Sequence, residues 1–154
     1  MSAIDLSLPD EAATLSLGER LAPGIGPGRV LHLRGDLGSG KTTVARGLLR
    51  ALGQTGRIKS PTYTLVELYP LSSLNLYHFD LYRFKDRTEW LNSGFREYFN
   101  AGSACVVEWP ERAGDLLSLP DLELRLEFEG AGRRAFLQAH SPAGSAWLSR
   151  LSSS

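Results

Sequence analysis

Several things are scarce in this chain, and each shortage narrows what it can be. Among its 154 residues Cys105 is the only cysteine, which excludes an internal disulfide and suits a reducing compartment. Net charge is also missing. Lys and Arg number 17 and Asp and Glu number 17, so no global field draws the chain to nucleic acid or anionic lipid. Asp5, Asp10 and Glu11 precede any long apolar run, so neither a signal peptide nor a membrane span is expected. His32, His78 and His140 lie far apart without metal-ligand spacing and read as structural. No internal repeat is visible, and no Asn-Lys-x-Asp segment is present to read guanine. The expectation is one cytoplasmic domain over residues 1–154, with 1–7 and 152–154 as flexible tails.

What is present is organised around Gly35-Asp36-Leu37-Gly38-Ser39-Gly40-Lys41-Thr42-Thr43, a full match to G-x-x-x-x-G-K-[ST]. Arg29 to Arg34 reads as a strand before it. Val44 to Leu52 reads as a helix after it, with Val44, Leu48 and Leu52 on one stripe and Gly53 to end it. A strand, a glycine loop and a helix N-terminus form a nest of backbone N–H groups that accepts a polyphosphate. In that arrangement Lys41 can reach the β- and γ-phosphates, and the Thr42 hydroxyl can ligate Mg²⁺. The fold class expected is α/β: a single P-loop NTPase-like domain with a mixed, mainly parallel sheet, flanking helices and a C-terminal β-hairpin.

Along the rest of the chain, Leu8-Pro9-Asp10-Glu11 opens a helix whose Ala13, Leu17 and Leu21 share a face, stopped by Pro23-Gly24. Leu65 to Tyr69 and Leu74 to Arg83 read as two strands joined by a turn. Thr88 is placed to cap a helix from Glu89 to Phe99, against which Gly94 argues. Ala104 to Val107 has the continuous apolar character of a buried parallel strand. Leu122 to Glu129 alternates cleanly, and Gly130-Ala131-Gly132 turns it into Arg133 to His140 as a hairpin. Ser141-Pro142 starts a short last helix through Trp147.

A phosphate loop needs a further acidic group for its metal or its attacking water. Glu108, at the end of the buried strand, is the candidate for the metal; the plainer alternative is an exposed glutamate after a strand. Asp80 also ends a strand-like run and can align water or act as a base, or it can be a turn residue paired with Arg83. Thr62 and Ser60 fit either a switch that senses the γ-phosphate or a turn at Pro61. Trp109 can wall the nucleotide or simply pack. Arg133 and Arg134 can reach a nucleotide or a partner, or be a solvated tip.

The glycine loop, Ser60-Pro61-Thr62-Tyr63-Thr64-Leu65, Tyr77-His78-Phe79-Asp80-Leu81-Tyr82-Arg83 and Val107-Glu108-Trp109-Pro110 occur in an order and spacing that resembles the bacterial TsaE family. These are small P-loop ATPases needed to make threonylcarbamoyladenosine in tRNA, and the resemblance runs from about Leu8 to the final hairpin. It implies ATP with Mg²⁺, the metal held by Thr42 and Glu108. Lys41, Asp80 and Thr62 form the catalytic set it implies. Gly38, Ser39, Gly40, Lys41, Thr42 and Thr43 contact the nucleotide in that reading, with Glu11, Thr14, Trp109 and Arg133 bordering it. It also implies TsaB and TsaD as partners, an ATPase slow by itself, and tRNA met only through the complex. The segment Asp86 to Asn92 departs from the family's more acidic helix start.

A P-loop small-molecule kinase is the rival reading. It calls for an arginine-rich lid, and no such insertion stands between Gly53 and Ala104, although Arg57, Arg83 and Arg87 are available. A binding module gated by nucleotide is a third reading that partly merges with the first.

Overall fold

The computed structural model describes residues 2–58, 61 and 63–152. Seven strands form one sheet: β1 (Ala3–Leu8), β2 (Val30–Arg34), β3 (Val66–Pro70), β4 (Asn75–Asp80), β5 (Ser103–Glu108), β6 (Leu122–Glu129) and β7 (Gly132–Ala139). Four α-helices accompany them: α1 (Glu11–Leu21), α2 (Lys41–Ala51), α3 (Arg87–Ser93) and α4 (Pro142–Ser152). The spatial order is β1-β7-β6-β2-β5-β4-β3.

The centre of this sheet is parallel, through β6–β2, β2–β5 and β5–β4, and both flanks are antiparallel, through β1–β7, β7–β6 and β3–β4. The expected mainly parallel sheet is thus corrected to an even mixture among the described residues. For two of the three antiparallel pairs, β3–β4 and β6–β7, the reason lies in connection length. The Gly130-Ala131 turn and the short Leu71–Leu74 link leave room only for antiparallel neighbours, whereas parallel pairing needs a crossover.

Strand β5 is buried along its whole length because both faces of the sheet are covered there. Ala104 and Val106 face a core that includes Leu17, Leu48, Leu122 and Trp147 from α1, α2, β6 and α4. Cys105 and Val107 face a second, aromatic cluster with Phe79, Trp90 and Phe95. Burial pushes the Cys105 thiol up to about 12, so it behaves as an apolar filler. No helix among the described residues is long and apolar enough to cross a membrane.

Three local expectations change. The first seven residues were expected as a flexible tail, but Ala3–Leu8 is a strand paired with β7 from Ala3↔Gln138 to Leu8↔Arg133. Its Ile4, Leu6 and Leu8 alternate toward the main core, a period-two signal too short to stand out beside the following helix. The third helix is capped by Asp86, whose Oδ1 accepts from Glu89 N at 3.1 Å, and not by Thr88. It stops at Gly94, which adopts φ 76°, and a short 3₁₀ turn over Phe95–Tyr98 follows. The last helix continues past Trp147 to Ser152, because Leu148 and Leu151 are buried on its inner face. The other expected tail residues, Ser153 and Ser154, lie outside the described residues.

Two glycines set how closely α1 and α2 approach. A Cβ on Gly18 would lie 2.1 Å from the Val44 carbonyl oxygen, and one on Gly47 would lie 2.2 Å from that of Leu15. Backbone oxygens cannot yield as a flexible side chain does, so the helices themselves would have to separate. Gly47→Ala should therefore cost about 1–3 kcal/mol of stability by overpacking, despite alanine's better helix propensity. Urea denaturation checks this, and an unchanged or raised midpoint would contradict the close packing.

His32 sits in β2 with 3% of its surface exposed. Burial, helped by the positive charge of Arg34 and by His140, holds its imidazole down at about 3 from an ordinary 6.5. The unfolded chain therefore takes up a proton at His32 first as pH falls, and stability is lost between those two values. His32→Leu should flatten this acid loss by an amount on the order of a few kcal/mol. Stability measured across that range checks it; an unaltered pH slope would show that His32 is not the group responsible.

Candidate functional site

Strand β2 ends at Arg34, the glycine loop follows, and α2 begins at Lys41. Parallel neighbours β5 and β4 end beside it, at Glu108 and Asp80, which are register partners. The carboxyl ends of parallel strands thus meet a helix N-terminus, where open α/β sheets bind ligands. Gly40 caps α2 in the left-handed region at φ 108°, without any side-chain cap bond. Among the described residues no side chain caps the helix start, and its first-turn N–H groups are suited to an anion.

The loop's shape is held from outside. The Arg133 guanidinium donates to Gly38 O at 3.0 Å and Ser39 O at 3.1 Å, and it lies over the Phe128 ring at 4.5 Å. Because C=O and N–H of a trans peptide point in opposite directions, holding Ser39 O turns the Gly40 N–H the other way. Arg133 is thus a brace rather than part of a solvated tip. Arg134, its neighbour, pairs instead with Asp5 and Glu129.

Inside the cleft, Lys41 Nζ donates to Gly35 O at 2.5 Å and Asp36 O at 3.1 Å and lies 4.0 Å from the centre of the Trp109 ring. Burial keeps its pKa below the ordinary lysine value, against the opposing pull of Glu108, Glu111, Asp80 and Asp36. Thr42 Oγ1 donates to Glu108 Oε1 at 3.0 Å, and His78 Nε2 meets Glu108 Oε2 at 2.7 Å. Glu108 is only 2% exposed, so the alternative of an exposed glutamate is set aside. Asp80, at 6% exposure, accepts from Tyr82 N at 3.0 Å, while Arg83 lies over the Tyr63 ring. Trp109 adopts φ 59°, unusual for a non-glycine residue, and packs against Tyr82.

Two cavities share the loop. One, of about 290 Å³, is lined by Leu37 to Thr43, Asp80, Glu108 and Trp109. The other, of about 260 Å³, is lined by Asp10, Glu11, Thr14, Ala131, Gly132 and Arg133 together with Gly38, Ser39, Gly40 and Thr43. Glu11 reaches its rim through Arg46 at 3.8 Å, and Arg46 also donates to Thr43 Oγ1. Thr14 is buried, with its methyl 3.1 Å from where a Cβ on Gly40 would stand. A larger cavity of about 560 Å³ opens at the opposite ends of the strands, between Trp90, Phe99 and Leu116. Its Asp121 is already engaged by Val30 N and Ser141 Oγ.

Of the residues singled out from sequence, Glu11, Thr14, Gly38 to Thr43, Asp80, Glu108, Trp109 and Arg133 gather around this loop. Thr62 and Ser60 lie outside the described residues. His78, read as structural, meets Glu108 across the sheet; its position two residues before Asp80, on the same strand face, points it into this region.

The oxygen donors fit a hard divalent cation. Thr42 Oγ1 and the Glu108 carboxylate already lie within hydrogen-bond distance of each other, at the mouth of the anion-accepting helix. Lys41, bonded to the neutral loop carbonyls of Gly35 and Asp36 and lying over Trp109, has the flexible stem to turn toward phosphate.

Fold and site together define a mixed α/β domain that presents a glycine-loop anion cradle, a lysine and buried carboxylates to one cleft. The sequence profile of the threonylcarbamoyl adenosine biosynthesis protein TsaE matches residues 8–136. The Haemophilus influenzae tRNA threonylcarbamoyladenosine biosynthesis protein TsaE is 37% identical over 157 aligned positions, spanning 99% of both chains. The Rickettsia felis protein of the same name is 37% identical over 84% of this chain and 75% of its own. The crystal structure of Bacillus subtilis YdiB superposes with a TM-score of 0.84 at 28% identity, over 99% of this chain and 97% of that one. The chain belongs to the TsaE family, and its role lies in the biosynthesis of threonylcarbamoyladenosine in tRNA.

Arg133→Ala should loosen the loop without unfolding the domain, because it removes charge-assisted bonds to two loop carbonyls. Amide hydrogen exchange at Ser39, whose N–H donates to Asp36 O at 3.1 Å, should quicken while exchange in β5 stays slow. Unchanged protection at the loop would show that the brace is not needed.

Proposed function

We propose that the protein is a Mg²⁺-dependent ATPase whose nucleotide cycle supports a TsaB–TsaD complex in the tRNA modification, in a cytoplasmic setting. The observation that carries this is the Thr42–Glu108 contact at 3.0 Å, with Asp80 beside Glu108 in register and Lys41 at the same helix start. In this reading the N–H groups of Gly38 to Thr43 and the Lys41 ammonium bind the phosphates. Thr42 and Glu108 hold the metal. Bound Mg²⁺ would neutralise charge on the phosphate oxygens. Asp80 aligns the attacking water, and Thr62 belongs to a segment that responds to the γ-phosphate. The second cavity, with Glu11, Thr14 and Arg133, suits the nucleoside end, and Trp109 walls the phosphate end.

The partner reading is supported by what surrounds the cleft. Charge is balanced over the chain, so no global field draws tRNA to it. Apolar Leu37 is exposed on the lining of the cleft, where a protein could cover it, and Tyr63, against Arg83, is exposed as well. TsaB and TsaD are the partners we assign, with tRNA reached only through them.

The test separates the two carboxylates. Glu108→Gln should weaken ATP binding in Mg²⁺ and turnover together, whereas Asp80→Asn should keep Mg-ATP binding and lose mainly kcat. Adding the TsaB–TsaD complex should raise hydrolysis, and the complex should bind the ATP form more tightly than the ADP form. A tenfold preference corresponds to about 1.4 kcal/mol of coupling. Equal partner affinity in both nucleotide states, with phosphoryl transfer to a small acceptor, would overturn this reading in favour of a kinase.

A further inference from the structure

His78 is 1% exposed, in a strand whose neighbours Leu76 and Phe79 are wholly apolar core residues. An imidazole at such a place costs free energy unless its polar atoms are used. Its Nε2 meets Glu108 Oε2 at 2.7 Å, a short bond for nitrogen and oxygen. The register explains the reach. Asp80 pairs with Glu108 and His78 with Val106, so His78 spans diagonally to the next residue on its face of β5. One strand thus supplies two groups on the same face, Asp80 beside Glu108 and His78 behind it.

Both Glu108 oxygens are thereby committed, Oε1 to Thr42 and Oε2 to His78. The terminal torsion of a glutamate is broad, so a carboxylate held at one oxygen only can rotate away from a metal. A partner on the other oxygen fixes its plane. Outer contacts of this kind orient metal-linked groups, and losing one typically costs about 10–100-fold in metal affinity or activity.

We propose that His78 is a positioning residue: its Nε2–H pins Glu108 Oε2, so that the Oε1 edge stays turned to Thr42 and to an incoming divalent cation. This rests on the reading of Glu108 as the metal-linked carboxylate. A purely structural His78 would instead affect folding stability and leave the metal dependence of nucleotide binding unchanged.

The experiment uses the full chain with a non-hydrolysable ATP analogue. Mn²⁺ affinity of the nucleotide complex is read by electron paramagnetic resonance, and nucleotide affinity is read separately in chelator. His78→Gln places an amide nitrogen near the Nε2 position and should keep most of the Mn²⁺ affinity. His78→Asn is too short to reach Glu108 and should lose roughly tenfold or more. Nucleotide affinity in chelator should be the same in both. The pair remains informative if an apolar substitution at this buried site fails to fold. Equal Mn²⁺ affinity in the Gln and Asn variants would overturn the proposal, as would an equal loss with and without metal. Glu108→Gln serves as the control. If it loses Mn²⁺ affinity and the His78 variants do not, only the role of His78 falls. If Glu108→Gln leaves Mn²⁺ affinity intact, the metal reading of Glu108 fails and this inference with it.

Discussion

A carboxylate buried to 2% exposure has to be satisfied on both oxygens, and Glu108 makes that demand of everything near it. Thr42 answers from the first turn of α2 and His78 from β4. The three groups tie the helix start to two adjacent parallel strands. The glycine loop, Lys41 and Asp80 are placed by the same elements. Weakening the position of Glu108 would therefore disturb the geometry of the whole cleft.

The sheet makes this possible by being parallel where it matters. The parallel run of β6, β2, β5 and β4 brings its strand ends out on one side, while the antiparallel flanks are two short hairpins with β1 laid along the outer edge of β7. Packing of α1 on α2 through Gly18 and Gly47 fixes where α2 points, and α1 also carries Thr14 to the back of the loop. From the hairpin, Arg133 reaches the outer carbonyls of that loop. Elements distant in sequence thus constrain one nine-residue segment from several sides, which is how a glycine-rich turn can present an ordered set of N–H groups.

Much of this was legible in the residues themselves. The Gly35–Thr43 pattern with a strand before it and a helix after it located the cleft. The apolar run ending at Glu108 announced a buried parallel strand with a carboxylate at its tip. Clean alternation over Leu122 to Glu129 gave the hairpin. What local patterns could not supply was pairing. Ala3–Leu8 becomes a strand because β7 offers it an open edge, a long-range fact absent from its own six residues. The sheet's mixed character likewise depends on which strands end up adjacent. The contact of His78 with Glu108 leaves no mark in spacing along the chain, because it depends on reach across the sheet. Arg133 could equally have been a solvated tip until the turn of the hairpin placed it against the loop.

The most direct test of the account is a crystal structure with Mg²⁺ and a non-hydrolysable ATP analogue. The account predicts the metal at Thr42 Oγ1 within reach of the Glu108 carboxylate, with Lys41 turned from the Gly35 and Asp36 carbonyls onto phosphate. A nucleotide bound elsewhere, or bound here with Thr42 still donating to Glu108 and the metal held by other residues, would contradict it.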